Sequence, residues 1–247
     1  MVAHSSDLVC IQEVGMRDGL QSAGQFVTTE DKVRLIDQLS KTGLSKIEVT
    51  SFVSPKAVPL LADAEEVLAA INRQPSVTYS ALIPNRRGLD RALAVELDEV
   101  NLVMSVSEAH NLANLRMTCE QSIEQFREIC NNRGSLRVNG TLATAFGCPF
   151  HGEVTQSTVF EWAHRYLDAG IDSLTLADTI GAATPRQVYD LCSVFTEAFP
   201  SIEIALPLHN TRGLGIANTL SGIAAGIRHL DASVGGIGGC PYAPGAT

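Results

Sequence analysis

Residues 13–21 read Glu13-Val14-Gly15-Met16-Arg17-Asp18-Gly19-Leu20-Gln21, which sets a guanidinium beside a carboxylate among glycines, directly after the apolar run 8–11. A pair of that kind at the mouth of a first strand can hold a metal and an oxyanion together. The late counterpart, residues 235–245, is a glycine loop that carries the thiol of Cys240. The two segments together point to an enzyme.

Each polar group offers a definite chemistry. Asp18 supplies a hard oxygen and His209 a nitrogen, a mix that suits Mg2+ or Mn2+ with positions left for water or substrate. The plainer reading gives Asp18 a salt bridge with an outward lysine and His209 a satisfied loop position. Arg17 is the group best suited to stabilise a developing enolate oxygen, as a preorganised cationic donor. It can equally be a structural partner of Glu48 or Asp178, and the two roles are compatible. Glu48 interrupts the apolar run Ile47-Glu48-Val49-Thr50, so its carboxylate must be paired or functional. Cys240, between Gly239 and Pro241, reads as a proton-transfer thiol on a loop that opens and closes, or as a buried inert cysteine. Cys148, in Gly147-Cys148-Pro149-Phe150, reads as structural, and His110 is open between meeting a substrate and facing solvent.

These groups need elements to bring them together. Short β-rich runs alternate with helical patterns, with no linker, low-complexity stretch or charge block between them. Strands are predicted over 9–13, 46–50, 77–83, 99–106, 136–145, 173–176, 203–208 and 230–234. Helices are predicted over 29–42, 62–72, 85–96, 119–132, 155–169, 185–199 and 211–225. Thr28 or Thr29 can cap the first helix, and Gly43, Gly134, Gly170 and Gly226 stand where helices stop. Eight strands and 247 residues define an α/β (β/α)8 TIM barrel. The pattern supplies seven helices, so the expectation is a single domain over 1–247 that lacks its last helix, as in a C-terminally truncated polypeptide. Apolar surface should then show on the outer faces of the first and last strands.

In such a barrel, reactive groups sit at the carboxyl ends of strands. Arg17 and Asp18 follow strand one, and Glu48 lies in strand two. Asn101 lies in strand four, Thr141 and Thr144 in strand five, and Asp178 follows strand six. His209 and Asn210 follow strand seven, and Cys240 follows strand eight. The result is one ring of polar side chains.

Composition narrows the partners. A net charge of -9 with 18 scattered basic residues argues against a nucleic-acid surface. Six cysteines without a C-x-x-C pair read as free thiols in a reducing, cytoplasmic compartment. No apolar run reaches the roughly 18 residues of a membrane span, and no leader pattern opens the chain. No G-x-G-x-x-G opens a helix after the first strand, so a nicotinamide cofactor is not expected.

Five segments carry a family resemblance: residues 13–21, 47–55, 177–181 (Ala177-Asp178-Thr179-Ile180-Gly181), 209–213 (His209-Asn210-Thr211-Arg212-Gly213) and 238–245. In this order they resemble the 3-hydroxy-3-methylglutaryl-CoA lyase family. Leu20 stands where the related Claisen synthases typically carry Glu, which favours the lyase branch. The resemblance implies a TIM barrel, a divalent cation and an acyl-CoA thioester substrate. The implied reaction is cleavage of 3-hydroxy-3-methylglutaryl-CoA to acetyl-CoA and acetoacetate, as in leucine degradation.

By the matching motifs, Asp18 and His209 are metal ligands, Arg17 is the enolate-stabilising cation and Cys240 the loop thiol. Glu48 and Asp178 are supporting acids, Arg17, Gln21 and Thr179 meet the substrate, and a homodimer is implied. Two departures stand out. Pro207, in Leu206-Pro207-Leu208-His209, replaces the first histidine of a His-x-His pair, and the chain reaches Thr247 before the family's fourth ligand, an asparagine. The alternative reading is therefore a non-catalytic or impaired barrel that binds an acyl-CoA.

Overall fold

The computed structural model describes residues 8–239. Eight parallel strands close in sequence order: β1 (Cys10–Glu13), β2 (Lys46–Ser51), β3 (Thr78–Leu82), β4 (Glu99–Ser105), β5 (Arg137–Ala143), β6 (Ser173–Leu176), β7 (Glu203–Leu206) and β8 (His229–Ala232). β1 and β8 complete the closure through Cys10↔His229 to Glu13↔Ala232. Outside them lie α1 (Thr29–Leu39), α2 (Ala64–Ala70), α3 (Arg86–Leu93), α4 (Glu108–Leu115), α5 (Cys119–Asn131), α6 (Gln156–Asp168), α7 (Pro185–Ala198) and α8 (Gly215–Ala224). Parallel neighbours need a crossover, and helices such as α5 (Ile123, Phe126, Ile129) and α7 (Val188, Leu191, Phe195) bury an apolar stripe against the barrel. This is the predicted TIM barrel. Among the described residues only a short 3-10 turn, Val234–Gly236, follows β8 and no α-helix does, and Leu8 and Ile11 are exposed beside and on the outer side of β1.

Local chemistry sets the boundaries. Thr28, rather than Thr29, caps α1 by accepting from the Asp31 N–H at 3.2 Å. Reciprocal capping boxes open α5 (Thr118 with Gln121) and α7 (Thr184 with Gln187). The four predicted helix-stop glycines all adopt positive φ.

Three features differ from the sequence expectation. β7 ends at Leu206 instead of residue 208, because Pro207 has no N–H to give the ladder and the strand stops before it. The Pro207 carbonyl still accepts from the Asp178 N–H at 3.2 Å, so the proline caps the strand rather than straining its interior. An additional helix, α4, follows β4 with Ser107 as its cap. It buries His110 to 1% exposure, with neither ring nitrogen hydrogen-bonded, so His110 does not face solvent. Finally, the Arg-Asp pair sits on a π-helical turn, Gly15–Gly19, where no helix was predicted. Single π-turns concentrate at functional sites.

Inward-facing positions at the amino ends of the strands are charged. Lys46 is ion-paired with Glu99 and stands 3.9 Å from Glu203. Arg137 reaches both carboxylates, and His229 Nδ1 lies 3.5 Å from Glu203. Burial raises the Glu99 pKa, with Lys46 and Arg137 opposing the shift. Buried charges survive only when paired in this way.

Candidate active site

The site is built at the carboxyl ends of β1, β2, β4 and β8. Glu13, the last residue of β1, turns its carboxylate back onto the backbone. Its Oε1 accepts from the Gly15 N–H at 2.6 Å and from the Val234 N–H at 3.0 Å. One carboxylate thereby fixes both the π-turn and the start of the glycine loop after β8. A Cβ at Gly15 would stand 2.7 Å from that same oxygen, so the turn needs glycine there.

The π-turn presents Arg17 to two carboxylates. Nε donates to Glu48 Oε2 at 2.6 Å and Nη1 donates to Asp18 Oδ1 at 2.9 Å. Burial opposes the Arg17 cation, yet the fields of Glu48 and Asp18 more than compensate and raise its pKa above its ordinary value. Arg17 is thus a permanently charged, geometrically fixed donor, and its structural partner is Glu48 rather than Asp178. Asp18 pairs with Arg17, not with an outward lysine.

Glu48 owes its aim to an irregularity in β2. The β2–β3 register shifts between Glu48, which faces Ser80, and Thr50, which faces Ala81. A bulge at such a point re-aims a side chain. Glu48 Oε1 accepts from Asn101 Nδ2 at 2.6 Å, so both of its oxygens are engaged.

The glycine loop is seated on the π-turn. The Gly239 N–H donates to Asp18 Oδ2 at 3.3 Å, and a Cβ on Gly238, at φ +154°, would stand 2.9 Å from that oxygen. Cys240 lies outside the described residues.

Asp231, on β8, was not singled out by sequence reasoning. Burial, then repulsion from Glu48, pushes its carboxyl up to about 7, against the pull of Lys46 and Arg17. The signal was available: Asp231 interrupts a barrel strand as Glu48 does.

The remaining candidates line the β5–β7 side. The Thr179 hydroxyl accepts from the Thr144 N–H at 2.7 Å, and Thr144 holds a left-handed φ of 60° while its Oγ1 meets Ser105 Oγ at 2.6 Å. A non-glycine residue in that region is strained and recurs at functional sites. Asp178 accepts from the N–H groups of Ala182 at 2.9 Å and Ala183 at 3.1 Å, so its carboxylate ties down its own loop. Burial raises its pKa, with those N–H groups, His209 and Arg212 opposing. His209 and Gln21 are half-buried. Gly181 adopts φ +60°, and a Cβ there would stand 2.3 Å from the Thr211 hydroxyl and 3.1 Å from the His209 carbonyl. The structure therefore joins Arg17, Asp18, Glu48 and Asn101 in one hydrogen-bonded set, and places Asp178, Thr179 and His209 in neighbouring loops.

The two donors expected to hold a divalent cation, Asp18 and His209, lie on the turn after β1 and in the loop after β7. No group of three or more His, Cys, Asp or Glu gathers around a metal position among the described residues. The donor chemistry nonetheless fits a hard ion, since Mg2+ commonly takes one or two protein carboxylates and completes its shell with water and substrate oxygens.

A closed parallel barrel with a charged, hydrogen-bonded mouth defines the TIM-barrel enzyme class. Within it, the HMGL-like family model matches residues 9–241. The chain belongs to the HMGL-like family. It is 44% identical to hydroxymethylglutaryl-CoA lyase YngG of Bacillus subtilis over 97% of this chain and 81% of that protein. It is 39% identical to the mitochondrial hydroxymethylglutaryl-CoA lyase of Homo sapiens, over 97% of this chain and 74% of that one. The structure of an HMG-CoA lyase from Acinetobacter baumannii in complex with coenzyme A and 3-methylmalate superposes with a TM-score of 0.94 at 48% identity, covering 100% of this chain and 81% of that chain. These relatives are carbon–carbon lyases, and this chain is an enzyme of that type.

Proposed function

We propose that the protein cleaves 3-hydroxy-3-methylglutaryl-CoA, or a close 3-hydroxyacyl-CoA analogue, to acetyl-CoA and acetoacetate with the help of Mg2+ or Mn2+. The observation that carries this reading is Arg17, held between Glu48 and Asp18 at the barrel mouth. Bond cleavage in such a substrate leaves negative charge on the thioester oxygen. A cation already fixed by two carboxylates stabilises that charge without reorganising. Glu48 orients Arg17, and Asp18 joins Arg17 to the glycine loop.

In the same reading Gln21 and Thr179 meet the substrate, Asp178 is a supporting acid, and Cys240 delivers a proton to the enolate carbon. Asp18 and His209 would hold the cation, which supplies Lewis-acid polarisation of substrate oxygens when bound. A reducing, cytoplasmic setting belongs to the proposal, supported by free thiols at Cys10, Cys119, Cys130, Cys148 and Cys192. No described helix is long and apolar enough to cross a membrane.

Pro207 favours a second reading, an impaired barrel that binds an acyl-CoA without turning it over, because proline can neither coordinate a cation nor accept a proton. Acetoacetate release with Mg2+ or Mn2+, compared between the natural chain and Pro207→His, decides between them. Release by the natural chain supports the lyase. Thioester binding without release by either protein supports the binding role, and release only after the substitution assigns the impairment to Pro207.

A further inference from the structure

We infer that Asn101 is a positioning residue for the Glu48–Arg17 pair, an inference that rests on the lyase reading for its kinetic consequence but not for its structural one. Three observations support it. The Asn101 Nδ2 donates to Glu48 Oε1 at 2.6 Å while Arg17 Nε donates to Oε2 at 2.6 Å, so the carboxylate is gripped from β4 on one side and from the π-turn on the other. The β2 register shift beside Glu48 frees this side chain from the regular pleat, so the two grips rather than the strand set its direction.

The third observation concerns the other end of the amide. Asn101 Oδ1 is buried without a hydrogen-bond partner. An ionised carboxylate only accepts, which fixes the amide with its nitrogen toward Glu48 and its oxygen away. The amide is thereby oriented with its nitrogen on Glu48. Removing the amide relieves Oδ1 but strips a buried carboxylate oxygen of its donor, which costs stability as well as orientation. Asn101 therefore serves Glu48, and through it the orientation of Arg17. Without it, Glu48 Oε1 has no described donor, and the carboxylate is free to turn away from Nε.

The test is Asn101→Leu, which conserves shape and removes the donor, studied by crystallography, thermal unfolding and kinetics on the full chain. The expected outcome has Glu48 rotated away from Arg17 Nε or split between two rotamers, with at most a modest fall in melting temperature. Under the lyase reading, kcat falls about 10- to 100-fold, the range typical of removing a partner that orients a ligating or reacting group, while KM for the thioester changes little. Asn101→His, which keeps a side-chain donor, should restore part of kcat. Two results overturn the inference: Glu48 unmoved against Arg17 in Asn101→Leu, whatever the activity, or KM rising with kcat unchanged. If the natural chain releases no acetoacetate, the lyase reading fails while the Glu48 geometry in the variant still decides the role of Asn101.

Discussion

The Gly239 N–H donates to Asp18 Oδ2, while Asp18 Oδ1 accepts from Arg17. One carboxylate thus fastens Gly239, in the loop after β8, to the cation after β1, and the position of Gly239 is coupled to the orientation of Arg17. The coupling needs a bare backbone, because Gly238 passes close to the same oxygen. Gly238→Ala should lower kcat by at least about tenfold through displacement of Asp18, since small misplacements of reacting groups are costly. Steady-state kinetics with a melting curve check this, and an unchanged kcat would show that the loop tolerates a methyl group there.

Arg17→Lys preserves the charge and loses the fork that reaches both Glu48 and Asp18. Under the lyase reading, kcat should fall by about 10^2 to 10^3, the loss seen when one preorganised transition-state donor is removed. KM should change much less. A variant within a few-fold of the natural kcat would remove Arg17 from the chemistry.

Asp231 gives the metal-free protein a distinctive pH response. Its folded-state pKa is about 7, against about 4 in an unfolded chain. Between those values the folded state holds a proton that the unfolded state has released, so this contribution to stability is largest at low pH and is lost as pH rises through about 7. Glu48 and Asp18 oppose the ionised form, and Lys46 and Arg17 favour it. Asp231→Asn should therefore gain stability relative to the natural chain between pH 5 and pH 8 in EDTA buffer. Parallel urea titrations measure the difference, and equal slopes against pH would contradict the shift.

Away from the mouth, Lys32 is buried at 3% exposure, with Nζ donating to Asp63 Oδ1 and to the Leu60 carbonyl at 2.6 and 2.8 Å. Asp63→Ala leaves that ammonium without its counter-charge. Removing one partner of a buried pair costs about 3–5 kcal/mol, so urea denaturation should report a loss of that order. A loss under about 1 kcal/mol would mean that the ammonium escapes to water.

The barrel was legible in the sequence because its signals are local: strand and helix patterns alternate along the chain, and four glycines, Gly43, Gly134, Gly170 and Gly226, mark helix ends. β6 was placed at its observed ends for this reason. α4 was missed because Glu108–Leu115 is short and has a mixed face, and its burial comes from packing beside β4 rather than from its own pattern. Arg17, Asp18 and Glu48 could be nominated as polar residues at strand ends. That Glu48 holds Arg17, that Asn101 holds Glu48, and that Asp178 spends its oxygens on Ala182 and Ala183 depend on register and bulges that no linear spacing encodes. Asp231 carried the same strand-interrupting signal as Glu48 but lacked a flanking motif.

The ionic cluster of Lys46, Glu99, Arg137, Glu203 and His229 occupies the amino end of the barrel and plugs it with paired charges. A ligand held at the opposite, carboxyl-end mouth has one way in and the same way out. Whatever is made at the bottom must wait for whatever sits above it to leave, so traffic through the mouth follows a last-in, first-out order. Of two products released in that order, the last to leave rebinds the same free enzyme as the substrate, so that product alone should inhibit competitively.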